Sequence, residues 1–146
     1  MKVFLDTNVL IDAFTERDTT YKSSQKILRY VAAGVITGYI TAKQVTDFYY
    51  YVRKYSKSEL QRKRLIKIML DIFEILPTMK SDIRYCLSYP IEDLEDALID
   101  EMCHEHCIDY LITHNKKDFK DAKSVVFTPE EALEIIGMDE GVDNFL

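Results

Sequence analysis

Four aspartates occupy positions where a carboxylate can take part in chemistry: Asp6, Asp47, Asp96 and Asp118. Asp6 ends the apolar run Val3–Leu5, and open parallel sheets bind their ligands where buried strands end. Asp47 and Asp96 fall in the first turns of predicted helices, and Asp118 follows a predicted strand. Each has a simpler explanation when taken singly, because aspartate also caps helices, interacts favourably with helix N-termini and favours turns.

Taken together, the four aspartates point to a metal site. In a parallel α/β sheet, the ends of strands and the starts of the following helices lie at one edge. Carboxylates gathered there repel one another unless a cation is bound, and oxygen ligands favour Mg²⁺ or Mn²⁺ over zinc. Such an ion polarises a phosphoryl oxygen and lowers the pKa of a bound water. The pattern is therefore typical of phosphodiester hydrolysis.

Short apolar runs alternate with segments of helical periodicity, which predicts an α/β fold with a central, mainly parallel sheet of four or five strands. The predicted strands are Val3–Leu5, Gly38–Thr41, Phe73–Leu76, Tyr110–Ile112 and Val125–Phe127. The predicted helices are Asn8–Phe14, Tyr21–Ala33, Lys43–Tyr55, Lys57–Ile72, Ser81–Leu87, Leu94–Cys107 and Glu130–Ile136. Asp18–Thr20, Asp93 and Thr128 are predicted N-caps. We expect one domain over residues 1–137 and an acidic tail over 138–146.

Composition narrows the class of protein. A net charge of −6 argues against a general polyanion-binding surface, yet seven cations crowd into Arg53–Lys67. That basic segment suits a phosphodiester held by metal, and it equally suits a solvated helix face. Three cysteines favour reduced thiols. No apolar run of about 20 residues and no signal peptide is visible, so we expect a cytoplasmic protein.

Two other motifs have alternative interpretations. The segment Cys103–Cys107 contains two cysteines and two histidines, but a single helix does not converge four ligands on zinc, which favours cysteines that act as small apolar residues. The tyrosines at 49–51 can stack on single-stranded bases, whereas such residues more often fill cores and subunit interfaces. A homodimer is compatible with the second interpretation.

Four segments in order make the chain resemble the PIN domain, a metal-dependent ribonuclease fold that includes the toxins of bacterial and archaeal toxin–antitoxin pairs. They are Phe4–Leu10 (FLDTNVL), Thr46–Tyr50 (TDFYY), Asp93–Leu98 (DLEDAL) and Asp109–Phe119 (DYLITHNKKDF). Their order and spacing cover almost the whole chain. The resemblance implies a three-layer α/β/α fold and an Mg²⁺- or Mn²⁺-dependent endoribonuclease acting on single-stranded RNA. It also implies an antitoxin partner and a homodimer.

By this resemblance Asp6, Asp47 and Asp96 are metal ligands, and the fourth acidic position falls in the loop after the fourth strand. Asp118 is our choice for that position, with Asn115 as the reserve. The residues expected to support the ligands through hydrogen bonds are Thr7, Asn8, Thr113 and Asn115.

Position 47 departs from the family pattern, which usually has glutamate there. The side chain of Asp47 is one methylene shorter, so weaker metal binding or lost activity is an alternative. A non-catalytic PIN-like module that binds RNA or protein is therefore the second hypothesis. A phosphatase that forms an aspartyl-phosphate is disfavoured, because its general acid falls at Asn8, which cannot exchange a proton in that role. A receiver-type phosphorylation domain is disfavoured because no aspartate ends a plausible third strand.

Overall fold

Five parallel strands form one central sheet in the computed structural model, which describes residues 1–16, 21–56 and 58–140. The strands are β1 (Lys2–Leu5), β2 (Thr37–Thr41), β3 (Phe73–Leu76), β4 (Tyr110–Ile112) and β5 (Val126–Phe127). Their order across the sheet is β3-β2-β1-β4-β5. Because β1 lies in the middle, Phe4 pairs with Tyr39 on one side and with Leu111 on the other.

Seven α-helices of the described residues cover the two faces of the sheet. They are α1 (Thr7–Thr15), α2 (Tyr21–Ala32), α3 (Ala42–Val52), α4 (Glu59–Ile72), α5 (Lys80–Cys86), α6 (Leu94–Glu105) and α7 (Pro129–Glu140). Val3 and Leu5 face a core shared with α1 to α4 and α7, whereas Phe4 faces a second core formed with α5 and α6. The expected three-layer α/β/α arrangement is confirmed. None of these helices combines the length and apolar character needed to cross a membrane.

The strands were predictable almost to the residue. The predicted bounds of β3 and β4 are confirmed, and those of the other three strands differ by one residue. The sheet is entirely parallel rather than mainly parallel. The predicted N-cap at Asp18–Thr20 and the predicted helix start at Lys57 lie outside the described residues.

The ends of the helices differ more from their predicted bounds than the ends of the strands do. Helix α3 ends at Val52 instead of Tyr55, because the chain turns over residues 53–55. The last helix begins at Pro129, and it continues past Ile136 to Glu140, which crosses the predicted boundary at residue 137. The loop after β4 contains a 3₁₀ helix, Lys116–Phe119, where an irregular loop was expected.

The end of α6 explains why the predicted helix to Cys107 is two residues too long. Cys107 has a left-handed backbone with φ of 54°, so the helix cannot continue through it. The N–H of Ile108 donates to the Cys103 carbonyl at 2.9 Å, and the N–H of Cys107 donates to the His104 carbonyl at 3.2 Å. These two bonds form a Schellman motif, in which glycine is the preferred residue at the left-handed position.

Cys107→Gly is therefore expected to stabilise the fold. A left-handed conformation costs a residue with a Cβ about 1 kcal/mol, which glycine avoids. The melting temperature should rise by roughly 2–4 °C in a calorimetric scan, given the size of the domain. The matched control is Leu87→Gly at the right-handed C-cap of α5 (φ −63°), which should not raise it. A drop in melting temperature for Cys107→Gly would contradict this reasoning.

A buried carboxylate ties α6 to the segment that leads into β5. Asp100 is fully buried, and its two oxygens accept hydrogen bonds from the backbone N–H groups of Lys123 (2.8 Å) and Ser124 (3.0 Å). The hydroxyl of Tyr89 donates a third bond, at 2.6 Å. We refer to these four residues as the Asp100 clamp. It fixes the start of the edge strand β5 against the helix that carries Asp96.

Candidate active site

Asp6 lies at the carboxyl end of the central strand and is held on both carboxylate oxygens. Oδ1 accepts from the N–H of Thr7 at 2.8 Å, which makes Asp6 the N-cap of α1, and Oδ2 accepts from the Thr113 hydroxyl at 2.7 Å. Its own N–H donates to the Ile112 carbonyl at 2.9 Å. The simpler explanation of Asp6 as a cap is thus correct, and it is compatible with a role in chemistry because the side chain stays at the sheet edge.

The turn after β4 positions the hydroxyl that holds Asp6. Thr113 is fully buried, and besides donating to Asp6 it accepts from the N–H of Asn115 at 3.0 Å. The next residue, His114, places its Nε2 2.7 Å from Oδ2 of Asp12. Asp12 is fully buried on α1. The pair therefore connects the turn to the helix that Asp6 caps.

Asp12 and His114 were not predicted from the sequence as residues that support the site. The only signal for Asp12 is its place in Val9–Ala13, an otherwise apolar stretch of helix, since a buried carboxylate needs a partner. That partner is more than 100 positions away in the chain, and helical spacing gives no indication of it.

Asp96 and Asp118 both line an open cavity of about 600 Å³. Asp96 is in the first turn of α6, as predicted, and its N–H donates to the capping side chain of Asp93 at 3.0 Å. Asp118 lies in the 3₁₀ helix. Lys117 and Lys120 also line the cavity, so it contains cations as well as carboxylates. We refer to Asp6, Asp96 and Asp118 as the acidic centre.

The pKa values of two of these carboxylates, Asp6 and Asp96, are raised. Burial raises the pKa of Asp96 to about 6, and the charges of Asp93, Asp6 and Asp118 add to the effect. Burial also raises the pKa of Asp6, although hydrogen bonds from Thr113 and Thr7 partly oppose it. The charge of Asp118 thus disfavours the ionisation of both Asp6 and Asp96, which is the situation that a bound cation relieves.

Asp47 is turned to other partners. It lies in the second turn of α3 rather than the first, and its carboxylate forms an ion pair with Lys43 at 2.5 Å. Lys43 also approaches Glu95 at 3.4 Å, next to Asp96 on α6. The charges named above as acting on Asp6 and Asp96 do not include that of Asp47. The charges of Asp6 and Asp118 therefore act on Asp96, whereas Asp47 is engaged by Lys43.

Helix α3 is nevertheless fixed beside the site. The Gln44 side chain completes a capping box with Thr41 and donates from Nε2 to the Leu5 carbonyl at 2.8 Å. This buried bond anchors the first turn of α3 to the residue before Asp6.

The residues expected to support the ligands have different surroundings. Thr113 donates directly to Asp6, whereas Thr7 contributes its backbone N–H. Asn8 is half-buried in the first turn of α1. Asn115 precedes the 3₁₀ helix, and its carbonyl accepts from the N–H of Asp118 at 3.0 Å. Asn115 therefore positions the segment that carries Asp118.

Among residues 1–16, 21–56 and 58–140, no three His, Cys, Asp or Glu side chains are arranged so that together they could hold a metal ion. The donors at the sheet edge are carboxylate oxygens on either side of an open cavity. That arrangement fits Mg²⁺ or Mn²⁺, because Mg²⁺ keeps several waters and takes only one or two carboxylates directly. The cysteine segment behaves differently: Cys103 is buried, whereas Cys107 is exposed beyond the helix end, so Cys107 does not act as a core residue.

The chain belongs to the PIN domain family. A family model described as PIN domain matches residues 2–117, which confirms the resemblance indicated by the four segments. The chain is also similar to ribonuclease VapC1 of Aquifex aeolicus (strain VF5). The two are 31% identical over 139 residues, which is 91% of this chain and 94% of the relative.

A solved structure supports the fold independently. The chain resembles one found in the crystal structure of VapBC2 from Rickettsia felis bound to a DNA fragment from their promoter. The TM-score is 0.65 at 23% identity, over 88% of this chain and 98% of the solved one. Identity at that level establishes the shared fold, and the α/β class predicted from the sequence is confirmed.

Proposed function

We propose that the protein is a toxin-type endoribonuclease that hydrolyses phosphodiester bonds of single-stranded RNA with the help of Mg²⁺ or Mn²⁺. The observation that carries the proposal is that Asp96 and Asp118 line one open cavity at the carboxyl edge of the sheet, where burial and then the charges of Asp93, Asp6 and Asp118 raise the pKa of Asp96. Membership of the PIN family and similarity to a protein named as a ribonuclease support the same activity.

In this proposal Asp6, Asp96 and Asp118 hold the metal ion, and Asp47 joins them through a water or after a change of rotamer. When bound, the ion polarises a phosphoryl oxygen and lowers the pKa of a water. Thr113 orients the Asp6 carboxylate from a buried position, which fixes one ligand before the ion arrives. Lys117 and Lys120 line the cavity and attract the phosphate group.

Metal dependence and strand preference are tested together in one assay. Purified protein is incubated with end-labelled single-stranded RNA, double-stranded RNA and single-stranded DNA, with Mg²⁺, with Mn²⁺ or with EDTA. We expect cleavage of single-stranded RNA with either ion, none with EDTA, and recovery when the ion is added back. Cleavage that persists in EDTA would contradict the proposal.

Thr113→Val is expected to lower cleavage by about 10- to 100-fold, the range typical of losing a hydrogen bond to a metal ligand. Valine has the same shape but can neither donate to Oδ2 of Asp6 nor accept from the N–H of Asn115. The measurement is kcat and KM on the single-stranded RNA, together with Mg²⁺ affinity by calorimetry. Thr37→Val, at the exposed start of β2, is the matched control and should leave both unchanged. Unaltered cleavage by Thr113→Val would mean that Asp6 needs no such support.

A second candidate function has one specific observation in its favour. The ion pair between Asp47 and Lys43 occupies the carboxylate that the family pattern expects to serve the metal. A PIN-like module that binds RNA or protein without cleaving it is compatible with that pairing. Calorimetric titration with Mg²⁺ and Mn²⁺ separates the two functions, since a non-catalytic module has no requirement for tight metal binding.

Asp47→Glu is expected to raise activity, by a few-fold or more, if the short side chain limits metal binding. Glutamate adds one methylene and reaches further towards the cavity while keeping the charge. The comparison is the Mg²⁺ concentration that gives half-maximal cleavage, which should fall for the variant. Asp82→Glu, at the exposed start of α5, controls for the general effect of a longer acid. A higher Mg²⁺ requirement for Asp47→Glu would show that aspartate is the better residue here.

We further propose that the protein pairs with an antitoxin, forms a homodimer and acts in the cytoplasm, where its RNA substrate is found. The solved relative was crystallised as a VapBC2 complex with promoter DNA, which supports an antitoxin for this chain. We also propose residues 1–137 as the nuclease domain and 138–146 as an acidic tail. Co-expression with a short DNA-binding protein encoded next to this gene, followed by co-purification, tests the first partner, and light scattering tests the dimer.

A further inference from the structure

A line of exposed side chains runs along α3 away from the acidic site. A spacing of four and then three residues places three side chains on one side of α3: Lys43, Asp47 and Tyr50. Lys54 comes four residues after Tyr50. At 1.5 Å per residue, Tyr50 lies about 4.5 Å further along the helix axis than Asp47. The ring of Tyr50 is 66% exposed. Lys54 follows in the turn after α3 and is exposed as well.

The line starts at the candidate active site. Lys43 lies 3.4 Å from Glu95, and Glu95 precedes Asp96 in the first turn of α6. The first turn of α3 is anchored to the end of β1 by the buried Gln44 bond described above. The position of Tyr50 relative to the acidic centre is therefore set by a helix, and Lys54 follows in the turn directly after that helix.

The side chains at the C-terminal end of α3 are of types that bind nucleic acids. The guanidinium of Arg53 lies 5.4 Å from the Tyr50 ring centre, and the ammonium of Lys54 lies 5.8 Å from that of Tyr51. Tyr50, Arg53 and Lys54 line a shallow hollow of about 240 Å³. A flat exposed ring flanked by cations is what single-strand binding requires, because bases stack on aromatic faces while phosphates meet the cations.

Resting on the proposed nuclease function, we propose that this face of α3 binds the RNA strand next to the scissile phosphate. Tyr50 stacks on a base, and Arg53 and Lys54 contact phosphates. A protein partner is the competing occupant. The observations favour RNA because the exposed groups here are cations and an aromatic face rather than an apolar patch, in a chain whose net charge is −6. We refer to Tyr50, Arg53 and Lys54 as the α3 surface.

Binding is measured apart from cleavage, by fluorescence anisotropy of a labelled single-stranded RNA in the full-length Asp6→Asn protein. Adding Tyr50→Ala should weaken binding about tenfold, within the range reported for loss of one base stack, and Tyr50→Phe should restore it because the ring remains. Lys54→Ala should lower the slope of log affinity against log salt by about 0.7, as expected for one lost phosphate contact on a single strand.

Tyr85→Ala is the matched control. Tyr85 is 54% exposed, with the Lys123 ammonium 5.0 Å from its ring centre, but it lies on α5, outside the α3 surface. The Tyr85→Ala variant should bind RNA with the same affinity as the Asp6→Asn parent. Equal affinity for Tyr50→Ala and the parent, or an equal loss with Tyr85→Ala, would overturn the proposal and indicate that this face serves a protein partner or none.

The outcome separates this inference from the proposed function. If the wild-type protein cleaves RNA but Tyr50→Ala binds it normally, the α3 surface is wrong and the nuclease stands. If Tyr50→Ala loses RNA affinity while the wild-type protein never cleaves with any divalent ion, the surface stands and the protein is an RNA-binding module. Circular dichroism should show that the Tyr50→Ala variant is folded, because the Tyr50 side chain is largely exposed.

Discussion

Asp6→Asn is expected to reduce metal-dependent RNA cleavage by at least about 100-fold, a larger loss than removal of a supporting hydrogen bond causes. The amide keeps the size of the side chain, and its oxygen can still accept from Thr7 or Thr113, so the geometry of the edge changes little. What disappears is the negative charge that attracts the ion. Asp96→Asn should have a similar effect, measured as kcat/KM on single-stranded RNA.

Stability distinguishes lost chemistry from lost folding in these variants. The pKa of Asp96 is about 6, above its ordinary value of 3.8, so the ionised carboxylate opposes folding at pH 8 when no metal is bound. Asp96→Asn should therefore raise the melting temperature of the metal-free protein at pH 8. The difference should shrink as the pH falls from about 6 towards 4, because the wild-type carboxylate is then protonated in the folded state.

The control for both variants is Glu105→Gln, which removes one charge from the exposed end of α6, far from Asp96 on the same helix. It should cleave RNA at the parental rate. If Asp6→Asn and the wild-type protein cleave equally, the measured activity belongs to a contaminant and the assignment of Asp6 fails.

Asp100→Ala is expected to destabilise the fold by about 3 kcal/mol or more. The substitution leaves two partly buried backbone N–H groups, those of Lys123 and Ser124, without their acceptor, and an unsatisfied buried group costs about 1–3 kcal/mol. It also removes the partner of the Tyr89 hydroxyl. Burial, and then the hydrogen bond to Asp100, raise the pKa of Tyr89, so this hydroxyl stays protonated and remains a donor.

Urea denaturation of the metal-free protein measures this effect. Asp109→Ala is the matched control, because Asp109 is exposed and accepts one bond, from the N–H of Lys2 at 2.7 Å. Its cost should stay below about 1 kcal/mol, and Tyr89→Phe should fall between the two. A loss of less than 1 kcal/mol for Asp100→Ala would mean that water replaces the carboxylate and that the Asp100 clamp does little.

The strands and the outline of the site were predictable because their signals are local. Short apolar runs ended by polar residues identify β1, β3 and β4, and Asp93 caps α6 as its position before an apolar stretch predicts. Strand ends in a parallel sheet meet at one edge whatever the details of packing. Asp6, Asp96 and Asp118 could therefore be placed near that edge from the sequence alone, whereas their grouping around one metal ion stays a prediction.

The remainder depends on contacts between distant residues or on side-chain rotamers. No periodicity connects Asp12 with His114, and the ion pair of Asp47 with Lys43 competes with the metal role that the family pattern implies. The end of α6 was placed two residues late because a cysteine, not a glycine, adopts the left-handed conformation. Local composition cannot report such an exception, since cysteine rarely occupies that region.

The position of β1 in the middle of the sheet has a consequence for synthesis of the protein. Asp6 leaves the ribosome more than 100 residues before its partner Thr113 and the neighbouring strand β4. Until that stretch has emerged, Asp6 lacks the hydroxyl that orients it, and the aspartate of the 3₁₀ helix does not yet exist. The carboxyl edge of the sheet therefore cannot take its final arrangement on a nascent chain until β4 and the 3₁₀ helix have emerged.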